Sequence, residues 1–157
     1  MRDIFSKETN NSPQSTNAAT RLHHIGFVVP HLSEAVEGFI SGLQMRWDQE
    51  IFYDPIQTVK GLFLEHSLPG TPMIELLEPA GQDSRVVGFL THHGPGLHHL
   101  CYEVGSLGDQ LQTAVSAGGI MLLGPSPAIA FKGREIAWVC TRERLLTEYL
   151  QRDLSTD

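Results

Sequence analysis

"LHHIGFVV" (residues 22–29) returns 75 residues later as "LHHLCYEV" (97–104), with a histidine pair at the same two places. The correspondence continues past the phrase: Leu32 meets Leu107, Val36 meets Leu111 and Ser41 meets Ser116 at the same offset. Agreement this extended marks an internal duplication, not a coincidence of dipeptides. In the first copy the phrase reads as a strand and leads into "HLSEAVEGFISGLQ" (31–44). There Leu32, Val36, Phe39, Ile40 and Leu43 recur at helical spacing, and Ser33, Glu34 and Glu37 suit a helix start. In the second copy "SLGDQLQTAVSAGG" (106–119) repeats the design. Ser106 and Asp109 form a capping pair, Leu107, Leu111, Ala114 and Val115 line one face, and Gly118-Gly119 ends the helix.

Three strand-like runs follow each helix. They are "MRWDQEIFY" (45–53), "TVKGLFLEH" (58–66) and "PMIELLEP" (72–79) in the first copy, and "GIMLL" (119–123), "REIAWVC" (134–140) and "LLTEYL" (145–150) in the second. Between the copies "DSRVVGFLTHHGPG" (83–96) predicts a short linker helix over about 83–95, closed by a Gly-Pro-Gly turn. The expected fold is therefore α+β: two tandem β-α-β-β-β modules, about 21–80 and 96–150, in one domain spanning 21–150. One such unit has too little core to stand alone, so the two are expected to share a cup-shaped mixed sheet. Residues 1–20, "MRDIFSKETNNSPQSTNAAT", are polar, carry acids and lack an apolar signal core, which predicts a flexible N-terminal tail.

Composition narrows the function classes. Apolar residues at 41% and charged residues at 18% give the balance of a globular chain, which excludes a disordered or fibrous one. Eleven basic against eighteen acidic side chains leave a formal charge of −7, which argues against nucleic acid as a partner. No stretch approaches the ~18 apolar residues that span a bilayer, so a cytoplasmic protein with no membrane partner is expected. Cys101 and Cys140 lie far apart in apolar runs and read as buried free thiols of a reducing compartment. No Ser/His/Asp arrangement, phosphate loop or zinc-finger spacing is evident. Trp47 and Trp138 read as core or interface residues. Lys132 and Arg134 in "FKGRE" read first as a solvated hairpin and second as cations for an anionic substrate such as a CoA phosphate.

If the copies are equivalent, functional residues recur at equivalent places. His24 to Glu75 spans 51 residues and His99 to Glu148 spans 49. A carboxylate inside an apolar strand such as "MIELLEP" costs several kcal/mol unless a partner or cation compensates it. Two histidines and two glutamates suit a borderline divalent ion such as Zn²⁺, Co²⁺, Ni²⁺, Mn²⁺ or Fe²⁺, with a coordination position left open for substrate. Strand alternation allows only one histidine of each pair to face a given side.

The residues "LHHIGFVVPHLSEAV", "PMIELLEPAGQDSRVVGFLTHHGPGLHHLCYEV" and "LLTEYL" resemble the vicinal oxygen chelate superfamily (glyoxalase, bleomycin resistance and dioxygenase proteins) and, within it, the methylmalonyl-CoA epimerases. The resemblance covers about residues 21–150. It implies a divalent metal held by His24, Glu75, His99 and Glu148, with Glu148 also the catalytic base. The implied activity is an isomerase: α-proton abstraction next to an acyl-CoA thioester, the enolate stabilised by the metal, in a homodimer. Where some epimerases carry a further Glu on the third strand, this chain has Lys60 and Gly61, with Glu65 further along, so the second acid/base group has no assignment. The same four positions match glyoxalase I, so a lactoylglutathione lyase-like enzyme, or another superfamily enzyme of a biosynthetic pathway, is the alternative. A small-molecule binding protein of the bleomycin-resistance kind is a third reading, disfavoured by the complete ligand set.

Overall fold

The computed structural model describes residues 20–153, so the tail expected over 1–20 lies almost wholly outside the described residues. The first half runs β1 (Arg21–Val28), α1 (Leu32–Leu43), β2 (Phe52–Asp54), β3 (Val59–Leu64) and β4 (Met73–Pro79). A short helix α2 (Val87–His93) then leads to β5 (Gly96–Val104), α3 (Leu107–Ser116), β6 (Ile120–Pro127), a 3-10 turn (Ile129–Phe131), β7 (Glu135–Cys140) and β8 (Leu146–Gln151).

All eight strands join one sheet in the order β2-β3-β4-β1-β5-β8-β7-β6. In each half the first strand pairs parallel with the last, and the other pairings are antiparallel. The halves meet at the antiparallel β1–β5 pair, so the sheet reads the same outward in both directions from that seam. Curling of this sheet gives the half-barrel of the vicinal oxygen chelate fold.

Alternation along the strands sorts side chains between two faces. On the outer face Leu32 of α1 packs with Leu62, Leu64, Ile74 and Leu76, and Leu107 and Leu111 of α3 pack with Ala137, Val139 and Tyr149. Burying these faces supplies the hydrophobic stabilisation that neither half has alone. On the inner face are Val28, Val59 and Leu77 from the first half and Cys101, Ile136, Trp138 and Leu150 from the second.

Both long helices are capped across the sheet. The Leu32 N–H donates to Glu78 Oε2 at 2.7 Å and the Leu107 N–H donates to Gln151 Oε1 at 2.8 Å. Glu78 and Gln151 hold equivalent positions, each three residues after the strand glutamate noted above. Ser106 Oγ also accepts from the Asp109 N–H at 3.3 Å, as the capping pair predicts, whereas α1 has no side-chain cap from its own N-cap residue, His31.

One strand is shorter than its sequence suggests. Of "MRWDQEIFY" only Phe52 onward is strand, apart from a single bridge between Arg46 and Glu65. Trp47 Nε1 donates to the Glu50 carbonyl at 3.1 Å and the Glu50 N–H donates to Asp48 Oδ1 at 2.9 Å, so local turn bonds replace the ladder. Cys101 is buried and free, while Cys140 is free but only half-buried. Among the described residues no helix is long and apolar enough to cross a membrane.

Candidate metal centre

The four central strands β4, β1, β5 and β8 each direct one chemically distinctive side chain to the inner face: Glu75, His24, His99 and Glu148. All four are buried, with exposures of 0% for His24, 1% for His99, 6% for Glu75 and 4% for Glu148. His24 Nε2 lies 3.2 Å from His99 Nε2, 3.2 Å from Glu148 Oε2 and 3.5 Å from Glu75 Oε2. His99 Nε2 lies 3.4 Å from Glu75 Oε2 and 3.8 Å from Glu148 Oε2. Donor atoms of His24, Glu75 and His99 thus lie within 4.8 Å of one another, and Glu148 Oε2 approaches both imidazoles.

That convergence fits a divalent cation. Bonds of ~2.0–2.2 Å to nitrogen and oxygen separate adjacent ligand atoms by roughly 3.0–3.6 Å, close to the spacings seen. Two carboxylates balance the charge of such an ion, and two imidazole nitrogens facing each other at 3.2 Å can share only one proton between them. With protons alone, burial works against a charged His24, but the Glu75 carboxylate and hydrogen bonds to Glu148 and Glu75 outweigh it and push the imidazole up to about 9. Burial would raise Glu75, yet His24 and His99 hold it well below the usual carboxylate range. The proton held at His24 between these carboxylates is what a metal ion would replace. His23, His24 and Cys101 also bring donor atoms within 4.8 Å of one another. That trio contains no carboxylate, and burial together with Glu148 raises the Cys101 thiol well above its ordinary value.

The geometry gives the doubled histidines a reason. His23 Nδ1 lies 2.9 Å from His24 Nδ1, and His98 Nδ1 lies 3.1 Å from His99 Nδ1. In each pair one nitrogen donates and the other accepts, which leaves Nε2 of the second ring aimed at the centre. Burial, then the neighbouring imidazole, lowers both His23 and His98 to about 4, so both stay neutral. Gly26 is the other local requirement. It sits opposite both His99 and Glu75 in the ladder, and a Cβ there would overlap the His99 imidazole.

Aromatic rings roof the centre. Phe131 of the 3-10 turn lies 5.7 Å from the His24 ring and 5.6 Å from Phe63, and Phe63 stacks on Phe52 at 5.7 Å. Beneath this roof an inner cavity of about 20 Å³ is walled by Glu75, Glu148, Asp54, Gln57, Phe131 and Trp138. Asp54 is held by hydrogen bonds from the Ile56 and Gln57 N–H groups and from Gln57 Nε2. Lys60 and Glu65 are exposed, and Gly61 packs on the Phe52 ring, so β3 brings no carboxylate to the cavity.

Phe131, Asp54 and Gln57 carried no signal in the sequence beyond apolar or turn-like character, and Trp138 read as a core or interface residue. Arg134 is not free for a substrate phosphate. It donates to Glu103 at 2.6 Å and to the Gln151 carbonyl at 2.8 Å, closing a segment in which Lys132 adopts φ 53°.

Residues 23–138 match the family described as the Glyoxalase/Bleomycin resistance protein/Dioxygenase superfamily. An ethylmalonyl-CoA/methylmalonyl-CoA epimerase of Cereibacter sphaeroides is 31% identical over 122 residues, covering 76% of this chain and 87% of that protein. An uncharacterized protein of Bacillus subtilis is 33% identical over 124 residues, covering 78% and 84% of the two chains. The fold matches a Streptomyces coelicolor methylmalonyl-CoA epimerase in complex with 2-nitronate-propionyl-CoA, with a TM-score of 0.71 and 24% identity over 83% of this chain and 96% of that one.

Proposed function

This chain belongs to the glyoxalase/bleomycin resistance/dioxygenase superfamily, and on that premise we propose that it is a metal-dependent epimerase of the methylmalonyl-CoA type. The observation that carries the reading is the buried convergence of His24, Glu75, His99 and Glu148, joined to 31% identity with an acyl-CoA epimerase across most of both chains. A lyase reading of the same four residues finds no support among these relatives.

His24, Glu75, His99 and Glu148 would hold the ion. Bound there, a divalent cation would supply Lewis acidity toward the thioester and carboxylate oxygens of the substrate. The chain's own residues do the rest. Glu148, on β8 and walling the inner cavity, is the carboxylate that takes the α-proton from one face, and inversion needs a proton delivered to the other face by a second group, which the sequence does not assign. The position of Glu148 opposite Cys101 and Trp138 in the ladder fixes its reach. Phe131, Phe63 and Phe52 keep bulk water from the reacting carbon, which strengthens every charge interaction inside.

The test is solvent exchange. Metal-loaded protein incubated with methylmalonyl-CoA in D₂O exchanges the α-hydrogen, followed by NMR, and exchange stops with chelator and returns with added metal. A metal-replete protein that leaves the α-hydrogen untouched overturns the epimerase reading.

A further inference from the structure

We propose that Asp54, at the end of β2, is the second acid/base group, which delivers a proton to the face of the substrate carbon that Glu148 does not reach. The assignment rests on the epimerase reading.

Among the described residues four carboxylates are buried: Asp54, Glu75, Glu103 and Glu148. Glu75 and Glu148 face the two imidazoles of the centre, and Glu103 has Arg21, Arg134 and Arg152 around it. Asp54, 6% exposed, has no cationic side chain within ion-pair distance among the described residues, and its partners are all neutral N–H groups. A buried carboxylate with no opposite charge beside it destabilises the fold, so its presence calls for a role.

The turn alone does not require it. The backbone N–H groups of Ile56 and Gln57 both donate to Oδ1, at 2.8 and 3.1 Å, and close the connection between β2 and β3. An asparagine carbonyl would accept the same two bonds without burying a charge. Oδ2 accepts only from the Gln57 side-chain amide, at 3.2 Å, and keeps a lone pair. One oxygen therefore holds the turn and the other is left for a proton.

Strand alternation places Phe52 and Asp54 on the inner face of β2 and leaves Tyr53 between them exposed. Phe52 covers Gly61, its partner on β3, so closely that a Cβ on Gly61 would overlap the ring. An acid cannot therefore enter from that position of β3, and Asp54 is the one acidic residue in the cavity wall besides Glu75 and Glu148. Glu75 is engaged by both imidazoles, at 3.5 and 3.4 Å. In the sheet order β2 and β8 are five strand steps apart, about 24 Å on a flat sheet. Asp54 and Glu148 nevertheless wall one cavity of about 20 Å³, so the curl turns the edge of the first half to face the second. β2 also packs against the 3-10 turn, which belongs to the second half. A carbon admitted between them meets one carboxyl group from each half.

The step balances. Glu148 takes the α-proton, the electron pair of the broken C–H bond passes into the thioester, and the Asp54 O–H proton forms the new C–H bond on the opposite face. Glu148 is left protonated and Asp54 ionised, ready for the other epimer in the reverse order, and exchange with water resets both.

The test follows each epimer of methylmalonyl-CoA separately, in D₂O with the Zn²⁺-loaded full chain. NMR reads loss of the α-hydrogen and circular dichroism of the thioester reads inversion. Wild type should exchange and interconvert both epimers. Asp54→Asn keeps the turn acceptor and should slow inversion by about 10²–10⁴-fold. The epimer whose α-hydrogen faces Glu148 should still exchange, with retention, while the other loses exchange and inversion together. Asp54→Ser, whose hydroxyl also serves the turn, should behave alike, and both variants should melt close to wild type. Equal slowing of both epimers is what a turn role alone would give. That result, wild-type inversion in Asp54→Asn, or loss of the fold in both variants overturns the proposal and leaves the epimerase reading standing. A wild-type protein that exchanges neither epimer overturns the epimerase reading and this assignment with it.

Discussion

His98 reaches the centre through a single nitrogen-to-nitrogen contact with His99, and His23 does the same for His24. Outer partners of this kind fix the tautomer and ring orientation of a metal-binding imidazole, and removing one typically costs ~10–100-fold in metal affinity. His98→Leu should therefore lower metal affinity by about that factor with the fold retained by circular dichroism, while His99→Ala loses stoichiometric metal altogether. Unchanged affinity in His98→Leu would remove the orienting role. Gly26→Ala acts on the same ring from the other side, since its methyl overlaps the imidazole, and should cost metal without adding or deleting a donor. Glu148→Gln keeps a donor oxygen but not a proton-accepting carboxylate. It should slow α-proton exchange by about 10²–10⁴-fold, and wild-type exchange in a metal-replete variant would exclude Glu148 as the base. The four side chains were readable because the duplication placed a His pair and a Glu twice at nearly the same offset, and the family resemblance singled out the second His of each pair. The purpose of the first histidine was not readable, because strand alternation says only that neighbours face opposite sides and cannot foresee rings that turn to meet.

At the scale of elements, the 3-10 turn and the ion pairs beside it decide access. The inner cavity of about 20 Å³ has room for about one water molecule and not for an acyl group. An acyl group therefore reaches Glu148 only if a wall of the cavity moves, and Phe131, packed on Phe63 and His24, is the wall carried by the 3-10 turn. Phe131→Ala should accordingly raise the rate at which a chelator strips metal from the protein severalfold, measured by stopped flow, and an unchanged rate would show that the roof does not limit entry. The far end of this segment is anchored by Arg134 on Glu103, a carboxylate 8% exposed that Arg21 also contacts at 2.7 Å. Burial opposes its ionisation, but the Arg134 hydrogen bond and the Arg21 and Arg134 charges prevail and lower it below the ordinary carboxylate range. A carboxyl whose folded value is depressed contributes stability that is complete above its unfolded value and is lost as pH falls through the folded one. Melting temperature should thus fall less steeply on acidification in Glu103→Gln than in wild type, from a lower starting point at neutral pH. Parallel curves would assign the acid sensitivity elsewhere. Strand and helix positions followed from periodicity, whereas the caps from Glu78 and Gln151 did not, because each lies more than forty residues from the helix it serves.

For the whole molecule, the site is also the joint. The β1–β5 seam joins two halves that each bring one histidine and one glutamate, so an ion bound by all four ties β4 and β1 to β5 and β8. The duplication predicted this shared sheet. It could not predict a cavity of about 170 Å³ walled by Gln57 of the β2–β3 turn, Arg85 of the linker and Trp138 of β7, because the fold brings these residues together from positions that no spacing rule connects. Metal that binds the folded centre and not the unfolded chain stabilises by mass action, about 2.7 kcal/mol at a free concentration one hundred times Kd. For a chain of this length that corresponds to a rise in Tm of about 5–10 °C. Calorimetry with added Co²⁺ or Zn²⁺ should show this rise, chelator should reverse it, and His99→Ala should show none of it. The gain should appear in both halves together, as slower amide exchange in β1 and β4 as well as in β5 and β8. Protection confined to one half would mean that the ion is held by that half's pair alone, and the four-residue centre would then have to be given up.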